Sequence, residues 1–279
     1  MSTLQSFLNF TPKNQGQIRL VCFPFAGGAA STFRFWKDYT PENIELFAAQ
    51  LPGREFRRKE QCLTHIDDVV KHLLPEIKTL ADKPLVFFGY SMGGLVAYEL
   101  VKAMYQAGLK TPVKMIFAGR GEPIAVVQEK KIYHFSDADF IRHIASFGGT
   151  PDTVLNETNI MQYFLPILKA DFQVLDTYET QPPFILNCPI HAYVGNRDTM
   201  VSVERVECWR HYTNAEFSME VEQGGHFFMN DQRERFVPRV IKQVEAAFSL
   251  ITSEVEKSNT PQTPSDPATD DDDLMYSGF

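Results

Sequence analysis

The chain has 279 residues, 44% of them hydrophobic and 13% aromatic, enough for one large core or a core with a small subdomain. Its formal net charge is −8, but residues 258–279 carry five acids and no base, which leaves −3 on the preceding 257 residues and no basic footprint for nucleic acid. No run approaches the ~20 apolar residues of a membrane span, and residues 1–16 lack the basic and apolar regions of an export signal, so a monomeric cytoplasmic protein is expected.

Along the chain, short β-branched or aromatic runs alternate with helical stretches, the pattern of an α/β fold with a mainly parallel sheet covered by helices. Strands are predicted at Ile18–Phe23, Ile44–Ala49, Leu85–Tyr90, 113–118, Ile190–Gly195 and 217–221, most of them continuous apolar runs as expected when both faces are covered. Between the second and third strands, Ile66, Val69, Val70, Leu73, Leu74, Ile77 and Leu80 recur at helical spacing, with Asp67 and Asp68 in the first turn. Pro75 inside that run predicts a kink or an early end. A second helix is predicted over 93–107, closed by Gly108, and a last one over 233–251.

The segment 122–180 breaks the alternation. It is helical by periodicity, contains no convincing strand, and is far longer than one crossover helix requires, so it predicts an inserted helical subdomain over the sheet. Its apolar residues Phe164, Leu165, Ile167, Leu168, Phe172, Val174 and Leu175 suit either a core or the lining of a pocket. The four cysteines (Cys22, Cys62, Cys188, Cys208) lie far apart and read as reduced hydrophobes. Residues 258–279, rich in Pro, Ser, Thr and Asp, read as a disordered acidic tail after a domain spanning 1–257.

Gly89-Tyr90-Ser91-Met92-Gly93 follows an apolar strand and opens a helix, the context in which Gly-x-Ser-x-Gly forms a nucleophile elbow. With Gly and Ser usage near 7%, the bare pattern arises by chance roughly 0.1 times in a chain of this length; the strand before it and the neighbouring glycines set it apart from an ordinary Gly-Ser turn. A serine hydroxyl is a weak nucleophile, so it needs a base in hydrogen-bond reach and a third group to orient that base. Such folds supply them in the order serine, acid, histidine. Asp198, just past one predicted strand, and His226, just past another in Gly224-Gly225-His226, sit at the strand ends shared with Ser91. Glu222 and Asp231 are nearer to His226 in sequence and compete with Asp198. The remaining histidines (His65, His72, His134, His143, His191, His211) suit surface or structural roles. For the oxyanion, one backbone donor is expected at Met92 and a second at Ala26, in the flexible loop Pro24-Phe25-Ala26-Gly27-Gly28.

Several stretches are similar to the type II thioesterases that accompany nonribosomal peptide and polyketide synthases. They are Phe23-Pro24-Phe25-Ala26-Gly27-Gly28, Gln50-Leu51-Pro52-Gly53-Arg54-Glu55, the Ser91 elbow, Ala118-Gly119-Arg120, residues 164–172 and Gly224-Gly225-His226-Phe227-Phe228. The resemblance implies an α/β-hydrolase fold with Ser91, Asp198 and His226 as triad and Ala26 and Met92 as oxyanion donors. It also implies that 122–180 is a lid over an acyl chamber, with Phe25, Phe164, Leu168, Phe172 and Phe227 expected to bind substrate. The implied substrates are acyl or aminoacyl thioesters on the phosphopantetheine arm of carrier proteins. Arg54, Arg57, Arg58 and Lys59 could form a basic rim for an acidic carrier, or simply a solvated face. No metal, nucleotide or other cofactor is required. Rival readings are an esterase or acyltransferase acting on small soluble substrates, and a non-catalytic carrier-binding module.

Overall fold

The computed structural model describes residues 4–125, 131–148 and 157–259. Among these, seven strands form one sheet: β1 (Phe7–Asn9), β2 (Ile18–Phe23), β3 (Ile44–Ala49), β4 (Leu85–Tyr90), β5 (Lys114–Ala118), β6 (Ile190–Gly195) and β7 (Phe217–Glu222). Their spatial order is β1-β3-β2-β4-β5-β6-β7, with β1 antiparallel to β3 and every other pairing parallel. The chain steps from β2 to β3 on one side, then crosses to β4 on the other. This reversal leaves a crevice beyond the carboxyl ends of β2 and β4, the place where open α/β sheets bind ligands.

Period-two alternation sends side chains to both faces of the sheet. Val21, Phe23, Leu85 and Phe87 pack against α1 (Ile66–Leu80) and α2 (Met92–Gln106). Leu20, Cys22, Val86 and Phe88 face the 3-10 segment Ala30–Tyr39 and the long carboxyl-terminal helix Arg233–Asn259. Each large apolar side chain so buried contributes about 1.5–3 kcal/mol, which is why these strands read as unbroken apolar runs.

Between β5 and β6 the described chain forms a 3-10 turn (Ile132–His134), α3 (Asp137–Ala145) and α4 (Thr158–Asp176). Phe140, Ile144, Met161 and Phe172 make a separate apolar cluster there, with Ala26 and Leu168 packed against it. After β6 come α5 (Val203–Glu207), α6 (Phe228–Asp231) and, as α7, Arg233–Asn259.

Four details depart from the sequence reading. β1 was not anticipated, since three residues carry no measurable periodicity. Of the kink or early end expected at Pro75, the early end does not occur, since α1 continues to Leu80. α7 runs eight residues past Ile251 and takes in Ser258 and Asn259, while the rest of the expected tail, 260–279, lies outside the described residues. Arg54 and Arg57 are buried rather than on a rim: Arg57 donates to the Gln50 carbonyl and to Ser6 Oγ, so of the four basic residues only Arg58 and Lys59 are exposed. No helix among the described residues is long and apolar enough to cross a membrane.

Candidate active site

Ser91 stands between β4 and α2 with φ 52° and ψ −116°, a backbone conformation that costs energy in any residue bearing a Cβ. Two bonds hold it there. The Ser91 N–H donates to the Ala118 carbonyl at 2.8 Å, and the Gly94 N–H donates to the Ser91 carbonyl at 3.0 Å. The turn is closed so tightly that a Cβ on Gly93 would meet the Phe23 carbonyl oxygen at 2.1 Å, and one on Gly89 would meet Gly94 Cα at 2.5 Å. The glycines of the motif are thus dictated by contact with backbone.

His226 Nε2 lies 2.9 Å from Ser91 Oγ, and His226 Nδ1 lies 2.8 Å from Asp198 Oδ2. Since a carboxylate can only accept, the proton on Nδ1 faces Asp198 and Nε2 is free to accept from the serine; this tautomer is assigned from the hydrogen-bond network. Asp198 is oriented by its own turn, where Oδ1 accepts the N–H groups of Met200 at 2.8 Å and Val201 at 3.0 Å. Its side chain is 0% exposed and that of His226 is 2% exposed, so the pair works out of contact with bulk water. Tyr90 donates its hydroxyl to the His226 carbonyl, and Gly119, at φ 59°, leaves room for the imidazole: a Cβ there would sit 3.2 Å from His226 Cε1. Of the competing carboxylates, Glu222 faces Arg239 instead.

Around Ser91 the N–H groups divide into used and unused. Gly27 donates to Asp171 Oδ2 at 2.7 Å and Gly28 to the Phe25 carbonyl at 2.9 Å. The Ala26 N–H makes no hydrogen bond among the described residues. Met92 opens α2, where an N–H has no partner inside the helix.

Two cavities meet at Ser91 and His226. The smaller, about 70 Å³, is apolar and bordered by Phe25, Ala26, Leu168, Phe172, Met200 and Phe227. The larger, about 410 Å³, is bordered by Gly119, Arg120, His143, Asp176 and Arg205. Arg120 and Arg205 both have an enclosed Nε without a hydrogen-bond partner, and Arg120 is the unusual one because it also has no ion pair among the described residues. Burial, reinforced by Arg205, lowers its pKa to about 10, which still leaves it charged at neutral pH. Arg205 is nearer to charge balance, with Glu122 at 3.5 Å.

A family model described as the thioesterase domain matches residues 18–248, most of the chain. The chain belongs to the thioesterase domain family. The gramicidin S biosynthesis protein GrsT of Aneurinibacillus migulanus is 35% identical over 243 residues, covering 87% of this chain and 95% of the relative. The thioesterase PikA5 of Streptomyces venezuelae is 32% identical over 225 residues, covering 80% and 79%. Among solved structures, YbtT, a type II thioesterase from a yersiniabactin biosynthetic pathway, superposes with a TM-score of 0.75 at 29% identity, covering 87% of this chain and 99% of its own. As a thioesterase this protein is a hydrolase of thioesters, and its parallel sheet flanked by helices is the α/β-hydrolase fold.

Within this thioesterase the structure brings together Ser91, Asp198, His226, Ala26, Phe25, Leu168, Phe172 and Phe227. Phe164 is not among them. It lies two turns before Phe172 on α4, borders neither cavity, and packs edge-on against Tyr163. Sequence reasoning missed Arg120, Arg205, His143 and Asp176, which border the larger cavity. Only Arg120 carried a signal, as the last residue of the Ala118-Gly119-Arg120 stretch.

Proposed function

We propose that Ser91 is the nucleophile, His226 the general base and Asp198 the residue that orients it, in hydrolysis of acyl or aminoacyl thioesters carried on the phosphopantetheine arm of carrier proteins. The observation that carries this reading is the unbroken hydrogen-bond chain from Ser91 through His226 to Asp198 at the junction of the two cavities. His226 takes the proton of Ser91 as Oγ attacks the thioester carbonyl, and the carbonyl electron pair moves to an oxyanion held by the N–H groups of Ala26 and Met92. Collapse breaks the C–S bond, and the departing thiolate, which leaves readily, takes the proton from the His226 imidazolium to become the free pantetheine thiol, returning the imidazole to its neutral form. Water, deprotonated by the same imidazole, attacks the acyl-serine; the free acid leaves and Ser91 regains its proton.

The two cavities suit the two halves of such a substrate. The apolar one fits the acyl group, and the larger one, where Phe147 and Leu175 stand beside Arg120 and Asp176, fits the pantetheine arm, whose amide carbonyls match the Arg120 donors that have no partner among the described residues. Of the expected lid 122–180, residues 126–130 and 149–156 lie outside the described residues; the described helices α3 and α4 act as the lid, bordering the cavities through His143, Leu168 and Phe172. The biosynthetic settings of GrsT and YbtT support a role in clearing unwanted acyl groups from the carriers of a synthase.

Replacing Ser91 with Ala is expected to lower turnover of an acyl-pantetheine thioester by at least about 10³-fold while the fold survives. Turnover at the parent rate would overturn the assignment. Intact-mass measurement of a panel of acyl-loaded carriers before and after exposure tests the substrate class; faster cleavage of a free ester bearing the same acyl group would favour an esterase instead.

A further inference from the structure

Two of the stretches that carry the family resemblance, 50–55 and 164–172, contain Arg54 and Asp171, and neither residue takes part in the chemistry above. They meet across 117 residues of chain in a buried, two-pronged ion pair: Arg54 Nη1 donates to Asp171 Oδ2 and Nη2 to Oδ1, each at 2.8 Å. Their side chains are 2% and 1% exposed. Replacing a buried pair of this kind by apolar side chains is often neutral or stabilising, so its presence calls for a reason other than stability.

The remaining bonds of the pair indicate that reason. Asp171 Oδ2 also accepts the Gly27 N–H at 2.7 Å, and Arg54 Nη1 also donates to the Gly28 carbonyl at 2.9 Å. Residues 25–28 form a tight turn, with the Gly28 N–H bonded to the Phe25 carbonyl and Gly27 at φ 80°, the pattern of a type II turn. In a trans peptide the N–H points opposite to the carbonyl of the same unit. The Ala26 N–H shares its peptide unit with the Phe25 carbonyl, so its direction is set by this turn. Asp171 holds the next peptide unit by its Gly27 N–H and Arg54 holds the Gly28 carbonyl, so the turn that sets this direction is pinned at two points. The α4 helix touches the same point through Leu168, whose Cδ2 would lie 2.5 Å from a Cβ on Gly27. It also reaches the Arg54 loop through Tyr163, which accepts the Glu55 N–H at 2.8 Å.

We propose that Arg54 and Asp171 are positioning residues that lock the turn carrying the Ala26 oxyanion donor, and that they tie the state of this donor to the seating of α4. The Asp171 carboxylate grips the turn, and Arg54 fixes the orientation of that carboxylate while holding the far side of the turn. Displacement of α4 withdraws Asp171 from Gly27 and releases the donor.

The inference rests on the oxyanion role given to Ala26, and its test uses hydrolysis that depends on Ser91. Asp171→Asn, nearly the same shape but uncharged, is expected to lower kcat for an acyl-pantetheine thioester by about 10- to 100-fold, below the loss of a whole oxyanion donor, with KM changed less than about threefold. Arg54→Lys carries the same test should Asp171→Asn fold poorly. The double variant Arg54→Met/Asp171→Leu restores apolar packing without a grip on Gly27, so it is expected to recover the melting temperature but not kcat. A folded Asp171→Asn protein with parental kcat, or a double variant that recovers kcat with its melting temperature, would overturn the proposal. An active Ser91→Ala protein would instead overturn the underlying mechanism.

Discussion

At the scale of single residues, the site depends on which atom of each side chain faces its neighbour. Asp198 uses one oxygen to accept two backbone N–H groups and the other to accept from His226. Asn at this position would keep the first contact but present an NH2 group to Nδ1, forcing the proton onto Nε2 and removing the acceptor that Ser91 needs. Asp198→Asn is therefore expected to lower kcat by about 10⁴-fold with the fold intact, checked by steady-state kinetics beside a thermal melt. Arg120 offers a different test, since hydrogen bonds from a charged donor are worth about 1.5–3 kcal/mol. Arg120→Met should raise KM for acyl-pantetheine roughly tenfold or more, while KM for the same acyl group on a simple alkyl thiol should change far less. Equal effects on both substrates would remove the arm from that cavity. Asp198 was legible in the sequence as the residue after a strand. Arg120 was legible only as part of a familiar stretch, because nothing in a sequence reports that a guanidinium lacks a partner.

At the scale of elements, the junction of β4 and α2 shows how a motif becomes a machine part. The strand brings Gly89 against Gly94, and the helix brings Gly93 against the Phe23 carbonyl, so the two elements touch backbone to backbone. Gly93→Ala must push β2 away from α2 and is expected to cost about 3 kcal/mol or more, at the upper end for overpacking, measurable as a fall in the urea midpoint at unchanged slope. The elbow was legible because its constraint is local. The helices α3 and α4 were legible as helices, by spacing, but not in their roles. Of the residues of α4, Leu168 and Phe172 border the apolar cavity, Asp171 grips the Gly27 turn, and Phe164 lies clear of both cavities. Which residue of an apolar helix meets a pocket depends on where the helix sits, and spacing fixes only its relative faces.

At the scale of the whole molecule, a histidine enclosed in the sheet makes stability depend on pH. His191 lies in β6, enclosed, with Nδ1 2.7 Å from Ser218 Oγ. Glu220 approaches Nε2 at 3.1 Å but is also engaged by Arg239. Burial, with the charges of Lys114 and Arg239, lowers the His191 pKa to about 4 from the ordinary 6.5. Above pH 6.5 neither state binds this proton. Between about 6.5 and 4 the unfolded chain binds it and the folded chain does not, so stability falls as pH drops, by up to about 3 kcal/mol, and the loss ends near pH 4. Glu222 and Asp176, raised by burial, act with the opposite sign and return part of it. Urea unfolding at pH 7 and pH 4.5 is expected to show this loss, and His191→Gln should show a shallower one; parallel curves would assign the acid limit elsewhere.

What the sequence by itself determined was whatever physics acts over a few residues. Alternating apolar runs and helical spacing specified the sheet and its covering helices. Gly89-Tyr90-Ser91-Met92-Gly93 specified a strained turn, and strand ends placed Asp198 and His226 beside it. Only the tertiary structure decided that Arg54 is an internal clamp rather than a docking charge, that Asp171 reaches back across 117 residues to hold it, and that Arg120 borders the serine's cavity with no partner among the described residues. Those facts turn on which surfaces become dry when the elements pack, and the worth of a charge is set by that dryness and by its partners, neither of which is written in the order of residues along a chain.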